Sequence, residues 1–211
     1  MIERNPAAAS TTAYDLIVVG GGIYGSMVAL EAARRGFDPL LLERDDFGQH
    51  TSGSWLGILH GGLRYLQTLD LPRHRVSTSE RRWFLATFPD LVEPLRIVMP
   101  LYGDGLRRAS VMGAALRLND ALSWYRNRGV RPDRSLPQGR LVSAEQTLRL
   151  LPATDPRNLR SGAIWYDGVT HHPQRLLMET LRWAVGLGAS ALNYIEAVEL
   201  LQEAGKVRGV V

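Results

Sequence analysis

Apolar and polar positions alternate between two periods along this chain. Leu16-Ile-Val-Val19 and Leu40-Leu-Leu42 are short apolar runs bounded by glycine, proline or acid, and predict buried strands. Between them, positions 23 to 35 carry apolar residues at helical spacing, and Gly36 marks a stop. Further on, the spacing predicts a helix over 79–88 broken by Pro89, a strand over 95–102, and a turn at Gly103-Asp-Gly105. An amphipathic helix follows over 110–126, then a proline-rich loop over 131–139. Ser143-Ala-Glu-Gln146 has the form of a capping box. A strand is expected over 162–166. Thr170 to His172 would cap a helix over 174–187, with Pro173 in its first turn. The tail predicts a strand over 191–200, a turn over 203–206, and a last strand from Val207 to Val211.

The first strand–helix–strand encloses Gly20-Gly-Gly-Ile-Tyr-Gly25, and the second strand ends in Glu43. This is the form of a dinucleotide-binding unit. Gly20 allows the tight turn, Gly22 lets the backbone approach a pyrophosphate, and Gly25 lets the helix pack close to the strand. The pyrophosphate would sit at the helix N-terminus, where free N–H groups and the dipole favour anions. Glu43 lies where a carboxylate can accept from ribose hydroxyls.

Composition narrows the class. A 45% hydrophobic content in 211 residues supports a folded core of one or two domains. The net charge of +4 comes from arginines scattered along the chain, Lys206 being the only lysine. That pattern argues against a nucleic-acid partner. Zero cysteines exclude disulfides, thiolate metal sites and redox CxxC chemistry. No metal is expected, since His171-His172 has no carboxylate or thiolate cluster to complete a ligand set. Residues 1–13 predict a disordered tail without a signal-peptide core, and the simplest location is cytoplasmic.

After Glu43 the chain becomes polar, then runs Thr51-Ser52 … Ile58-Leu59-His60-Gly61-Gly62-Leu63-Arg64-Tyr65-Leu66. This block resembles the flavin-contacting segment of FAD-dependent glycerol-3-phosphate dehydrogenases, within the D-amino-acid-oxidase-like superfamily. Similarity continues through Leu91-Val-Glu-Pro-Leu95, Leu118-Asn-Asp-Ala-Leu122 and Ile164-Trp-Tyr-Asp-Gly168, covering 14–211.

The resemblance implies an α/β protein. An FAD-binding Rossmann-like domain of glutathione-reductase type would span 14–90 and 170–211, with part of an inserted α+β substrate domain over 91–169. The chain would be the N-terminal part of a longer family member, since it stops within an apparent hairpin. The resemblance assigns Gly20, Gly22, Gly25 and Glu43 to the ADP half of FAD. Thr51, Ser52, Leu59, His60, Gly61 and Gly62 would line the pyrophosphate and flavin, and Arg64 and Tyr65 a small anionic substrate. A guanidinium suits that task through its bidentate fork. His60 is the candidate base for the hydroxyl proton, or a donor that polarises the flavin. The alternative for His60 is a histidine held within its turn. These dehydrogenases commonly carry a basic residue just before the Leu-Ile-His-Gly-Gly stretch, where this chain has Gly57.

The expected activity is hydride transfer from a small hydroxylated anion to FAD, with quinone or oxygen as electron acceptor. An amine or amino-acid oxidase of the same superfamily is a second reading, because a carboxylate would also suit Arg64. A truncated nucleotide-binding fragment without turnover is a third. The amphipathic segment 110–126 is expected to pack in a core. A second reading places it against anionic lipid, which would make the protein peripheral on the inner face of the cell membrane.

Overall fold

The computed structural model describes residues 2–103, 105 and 108–211. In chain order the elements are α1 (Pro6–Thr11), β1 (Leu16–Val19), α2 (Ile23–Arg34), β2 (Pro39–Leu42), β3 (Ile58–Leu59), α3 (Leu71–Thr87) and β4 (Glu93–Leu101). There follow α4 (Ala109–Leu122), β5 (Arg140–Ser143), α5 (Ala144–Leu150), β6 (Ser161–Val169), α6 (Pro173–Gly186), β7 (Ser190–Leu192), β8 (Leu200–Glu203) and β9 (Lys206–Val210). The chain divides into two compact units, one of residues 1–56 and 172–211, the other of 57–171.

The first unit is built on a parallel sheet of order β1-β2-β7, with Val19 opposite Leu42 and Leu42 opposite Leu192. All four residues of β2 are buried, as expected of a parallel strand with neighbours on both sides. β1 sits at the edge instead, leaving Leu16 and Val19 exposed where the sequence predicts burial. α2 packs on α6. Each helix is followed by a turn with a glycine of left-handed φ, Gly36 at +83° and Gly188 at +109°, whose N–H groups donate back to the Ala33 and Val185 carbonyls. The N-terminal segment, expected to be disordered, forms α1. Asn5 accepts from the Ala8 N–H, Pro6 begins the first turn, and Ala9 packs on the Leu40, Leu42 and Leu192 cluster.

The strand expected over 191–200 is two short strands. β7 ends at Leu192, and β8 pairs only with β9 in a hairpin across the predicted turn.

The second unit centres on β6, nine residues long, paired antiparallel with β3, β4 and β5. Glycine at 162 and 168 and alanine at 163 leave room for the elements that cover the strand. α4 lays Leu116 against Leu101 and Ala163 in the core. Its helical run ends at Leu122, short of the predicted Arg126, because Ser123 caps it and 124–129 turn. The predicted turn at 103–105 includes Asp104, which lies outside the described residues. Ser143 caps α5 by accepting the Gln146 N–H at 3.1 Å, as its sequence pattern suggests.

One boundary differs from the expectation. Residues 57–90 group with the second unit and not with residues 14–56. The cause is pairing: Ile58 and Leu59 join β6 opposite Val169 and Gly168, and α3 bonds to the same strand through Arg81.

Candidate flavin-binding and substrate site

In the first unit the glycine turn links β1 to α2. The Gly20 N–H donates to the Leu42 carbonyl at 2.8 Å, and φ of +110° at Gly20 turns the chain in a region side chains rarely adopt. A Cβ on Gly25 would overlap the Gly20 carbonyl oxygen, so the helix lies against its own turn. The helix start carries no acidic residue in its first turn, and its N-cap Gly22 has no side chain to offer. Ser52 fills that role from the following loop, accepting the Ile23 N–H at 2.9 Å. A Cβ on Gly22 would come within 3.0 Å of that hydroxyl. The features leave an anion-receptive helix end faced by a serine hydroxyl, which fits a pyrophosphate. Thr51 lies in the same exposed loop, its carbonyl accepting the Ser54 N–H.

Glu43 is 7% exposed, and its carboxylate is already engaged. Oε2 accepts the Gly21 N–H at 2.6 Å and Oε1 accepts the Asp45 N–H at 2.9 Å. A carboxylate offers about four acceptor positions, so the same group can tie the two loops and still accept from a ribose. Gly21, to which the sequence pattern assigns no role, is packed as tightly as its neighbours: a Cβ there would lie 2.7 Å from Phe47 and 2.8 Å from Glu43.

In the second unit, Leu59 is half-buried in β3 and His60 follows it onto the surface. The His60 ring meets Tyr65 edge-on, with centroids 6.0 Å apart. Gly62 leads into a 3-10 turn, Leu63–Gln67, which carries Arg64 exposed and Tyr65 half-buried. The Arg73 guanidinium lies 5.9 Å above the Tyr65 ring. At Gly57, φ is +69° and a Cβ would overlap the Thr170 carbonyl oxygen. The Gly57 carbonyl accepts the Thr170 N–H at 2.8 Å. No side chain, basic or otherwise, fits this backbone at position 57 without strain.

Gly61 is held on both of its backbone groups. Its N–H donates to Asp167 Oδ1 at 2.7 Å, and its carbonyl accepts from Thr78 Oγ1 at 3.1 Å. Arg81, 4% exposed, donates to the same Asp167 oxygen at 2.6 Å and to the Tyr166 carbonyl at 2.9 Å. Its guanidinium lies where a Gly61 Cβ would be. Burial pulls the Arg81 guanidinium below its ordinary pKa, while the charge and hydrogen bond of Asp167 push the other way. Arg81 Nε is buried without a hydrogen-bond partner, a cost carried to hold this turn.

Thr78, Arg81 and Asp167 are the residues that sequence reasoning left without a role. Asp167 stands inside the Ile164-Trp-Tyr-Asp-Gly168 run that carries the resemblance, and that was the available signal. Arg81 is indistinguishable in sequence from its neighbour Arg82. The structure gathers Gly20, Gly22, Gly25, Glu43, Thr51 and Ser52 in the first unit, and Leu59, His60, Gly61, Gly62, Arg64 and Tyr65 in the second. Among the described residues no helix is long and apolar enough to cross a membrane.

The chain is 38% identical to a glycerol-3-phosphate dehydrogenase of Synechocystis, over 91% of its own length and 33% of that protein's. It is 32% identical to the aerobic glycerol-3-phosphate dehydrogenase of Bacillus subtilis, over 93% of its length and 34% of that protein's. It therefore spans about a third of the length of the curated relatives it matches. Among solved structures, the glycerol-3-phosphate dehydrogenase of Bacillus halodurans complexed with FAD superposes with a TM-score of 0.65 at 25% identity, covering 96% of this chain and 31% of that one. An L-amino acid deaminase of Proteus vulgaris shares the fold, with a TM-score of 0.65 at 20% identity over 100% of this chain and 45% of its own. The model of the FAD-dependent oxidoreductase family, DAO, matches residues 15–211, and the chain belongs to that family.

Proposed function

We propose that this chain carries the FAD-binding segment, and part of the substrate domain, of a dehydrogenase that oxidises a small hydroxylated anion. The observation that carries the reading is the start of α2. A side-chain-free cap, a glycine packed on its own turn and the Ser52 hydroxyl converge there in a chain of an FAD-dependent family. Gly22 and Ser52 would bind the pyrophosphate, with Thr51 beside them, and Glu43 would accept from the ribose. Leu59, His60, Gly61 and Gly62 would line the flavin. FAD, when bound, supplies the hydride acceptor.

The chain's own residues then have three tasks. Arg64 is the one arginine or lysine between Thr51 and Leu66, and it is exposed without a carboxylate partner among the described residues. It would hold the substrate's anionic group, with Tyr65 beside it. His60, exposed and steadied by the edge of Tyr65, would take the hydroxyl proton at an imidazole nitrogen. The Asp167–Gly61 bond would keep that turn in place. Glycerol 3-phosphate is the first substrate to test, given the relatives. The glycine at 57 favours testing an amino acid beside it, because the basic group expected there cannot be present. Electrons would leave for quinone or oxygen.

Purified chain should retain yellow flavin, and Gly25→Val should lose it while holding its helical signal. Anaerobic addition of glycerol 3-phosphate, then of amino acids, should bleach the flavin with one donor class. A colourless wild-type chain refutes the FAD site. A yellow chain that no donor bleaches refutes turnover and leaves a nucleotide-binding fragment.

A further inference from the structure

A cavity of about 670 Å³ opens in the second unit between α3 and the segment that follows α4. It includes none of the residues assigned above to flavin or substrate. Three arginines line it: Arg75 and Arg82 from α3, and Arg128 from the turn after α4. No carboxylate lines it. Some other arginines of this unit are matched, among them Arg73 with Asp70, Arg126 with Asp120, Arg131 with Asp90, Arg134 with Glu93 and Arg157 with Asp155, while Arg64, Arg96 and Arg117 stand singly with no ion pair among the described residues. The three at the cavity have no carboxylate within ion-pair distance among the described residues. Like charges gathered without a counter-charge repel, and an anion between them relieves that cost.

The lining is fixed in place. Arg82 donates from Nη1 to the Arg128 carbonyl at 3.1 Å, while its Nε is buried with no partner. The Tyr125 hydroxyl lies 3.3 Å from Ser79 Oγ and 3.4 Å from the Arg75 carbonyl. His74, 2% exposed, is oriented by Asn119 at 3.0 Å. Trp124, 76% exposed, supplies a broad apolar face at the rim.

We propose that this cavity binds a phosphate group attached to an apolar or aromatic moiety. The guanidinium groups take the phosphate oxygens and Trp124 takes the apolar part. The inference is independent of the flavin reading, because the lining lies wholly within the second unit and shares no residue with the assigned site. Such a phosphate could come from a soluble ester or from a lipid headgroup.

The test uses the whole chain with FAD present. Pyrophosphate is titrated by calorimetry, and vesicles of phosphatidylcholine with or without phosphatidylglycerol are sedimented with the protein. Saturable pyrophosphate binding is expected, at least ten-fold weaker in Arg82→Gln/Arg128→Gln and unchanged in Arg117→Gln, an exposed arginine of α4 outside the cavity. Pyrophosphate binding without vesicle binding assigns a soluble ester. Phosphatidylglycerol-dependent sedimentation that the double variant abolishes assigns a headgroup. Tyr125→Phe, which keeps the ring and removes only the hydroxyl, gives a milder second variant if the double one unfolds, with a several-fold loss expected. Absence of saturable binding to either probe, or binding equal in wild type and variants, overturns the proposal.

Discussion

Gly61→Ala isolates the clamp on the His60 turn. The φ angle at Gly61 lies outside the left-handed region, so alanine meets no backbone penalty there. The whole effect must come from the added methyl, which would occupy the position of the Arg81 guanidinium. Arg81 can yield only by leaving Asp167, at 2.6 Å, and the Tyr166 carbonyl, at 2.9 Å. Both partners of the ion pair are nearly buried, with side-chain exposures of 4% and 12%. Breaking a buried pair costs about 3–5 kcal/mol. If the turn yields part of the way instead, the loss falls towards the lower figure. Urea unfolding should therefore show a destabilisation of about 3 kcal/mol or more. A double-mutant cycle with Arg81→Ala sharpens the test, since the methyl has room once the guanidinium is gone. The second substitution should then cost about 1 kcal/mol or less, far from additivity. A single-variant loss under about 1 kcal/mol, or an additive cycle, refutes the steric argument.

Two further substitutions separate cofactor contact from architecture. Glu43→Gln replaces one carboxylate oxygen by an amide donor, which must face the N–H of Gly21 or of Asp45. Stability measured without added flavin should fall by about 1–3 kcal/mol, whereas a residue that served only a ribose would leave it unchanged. Gly57→Lys supplies the basic residue common in the dehydrogenases at this position. The left-handed φ and the Thr170 carbonyl should make it destabilising by about 1–3 kcal/mol or more in thermal unfolding, with no gain in phosphate affinity. An unchanged melting temperature would mean that the β3–β6 junction has another conformation within reach.

The two glycine clusters differ in how far sequence could explain them. Gly20 and Gly25 are required within their own strand–turn–helix, by a φ of +110° and by the Gly20 carbonyl oxygen, so spacing and apolar pattern are enough to mark them as turn glycines, whereas the group crowding Gly22 is Ser52 from the later loop. Even there, the link of Glu43 to Gly21 was not foreseen, because the pattern tied the acid to a ligand and said nothing of a backbone donor on the facing loop. Ser52 belonged to the expected list, but its capping of Ile23 bridges 29 residues and needs the fold to be known. Gly61 stands further out. Its partners are Thr78, 17 residues away on α3, and Asp167, 106 residues away on β6. No local periodicity encodes that meeting. The same long-range pairing explains why 57–90 groups with the second unit: Leu59 opposite Gly168 and Arg81 on Asp167 draw this stretch there, while its sequence is continuous with the first. A glycine demanded by its own turn can be found by motif; one demanded by a buried arginine can be found only after the strand carrying that arginine's partner has been placed.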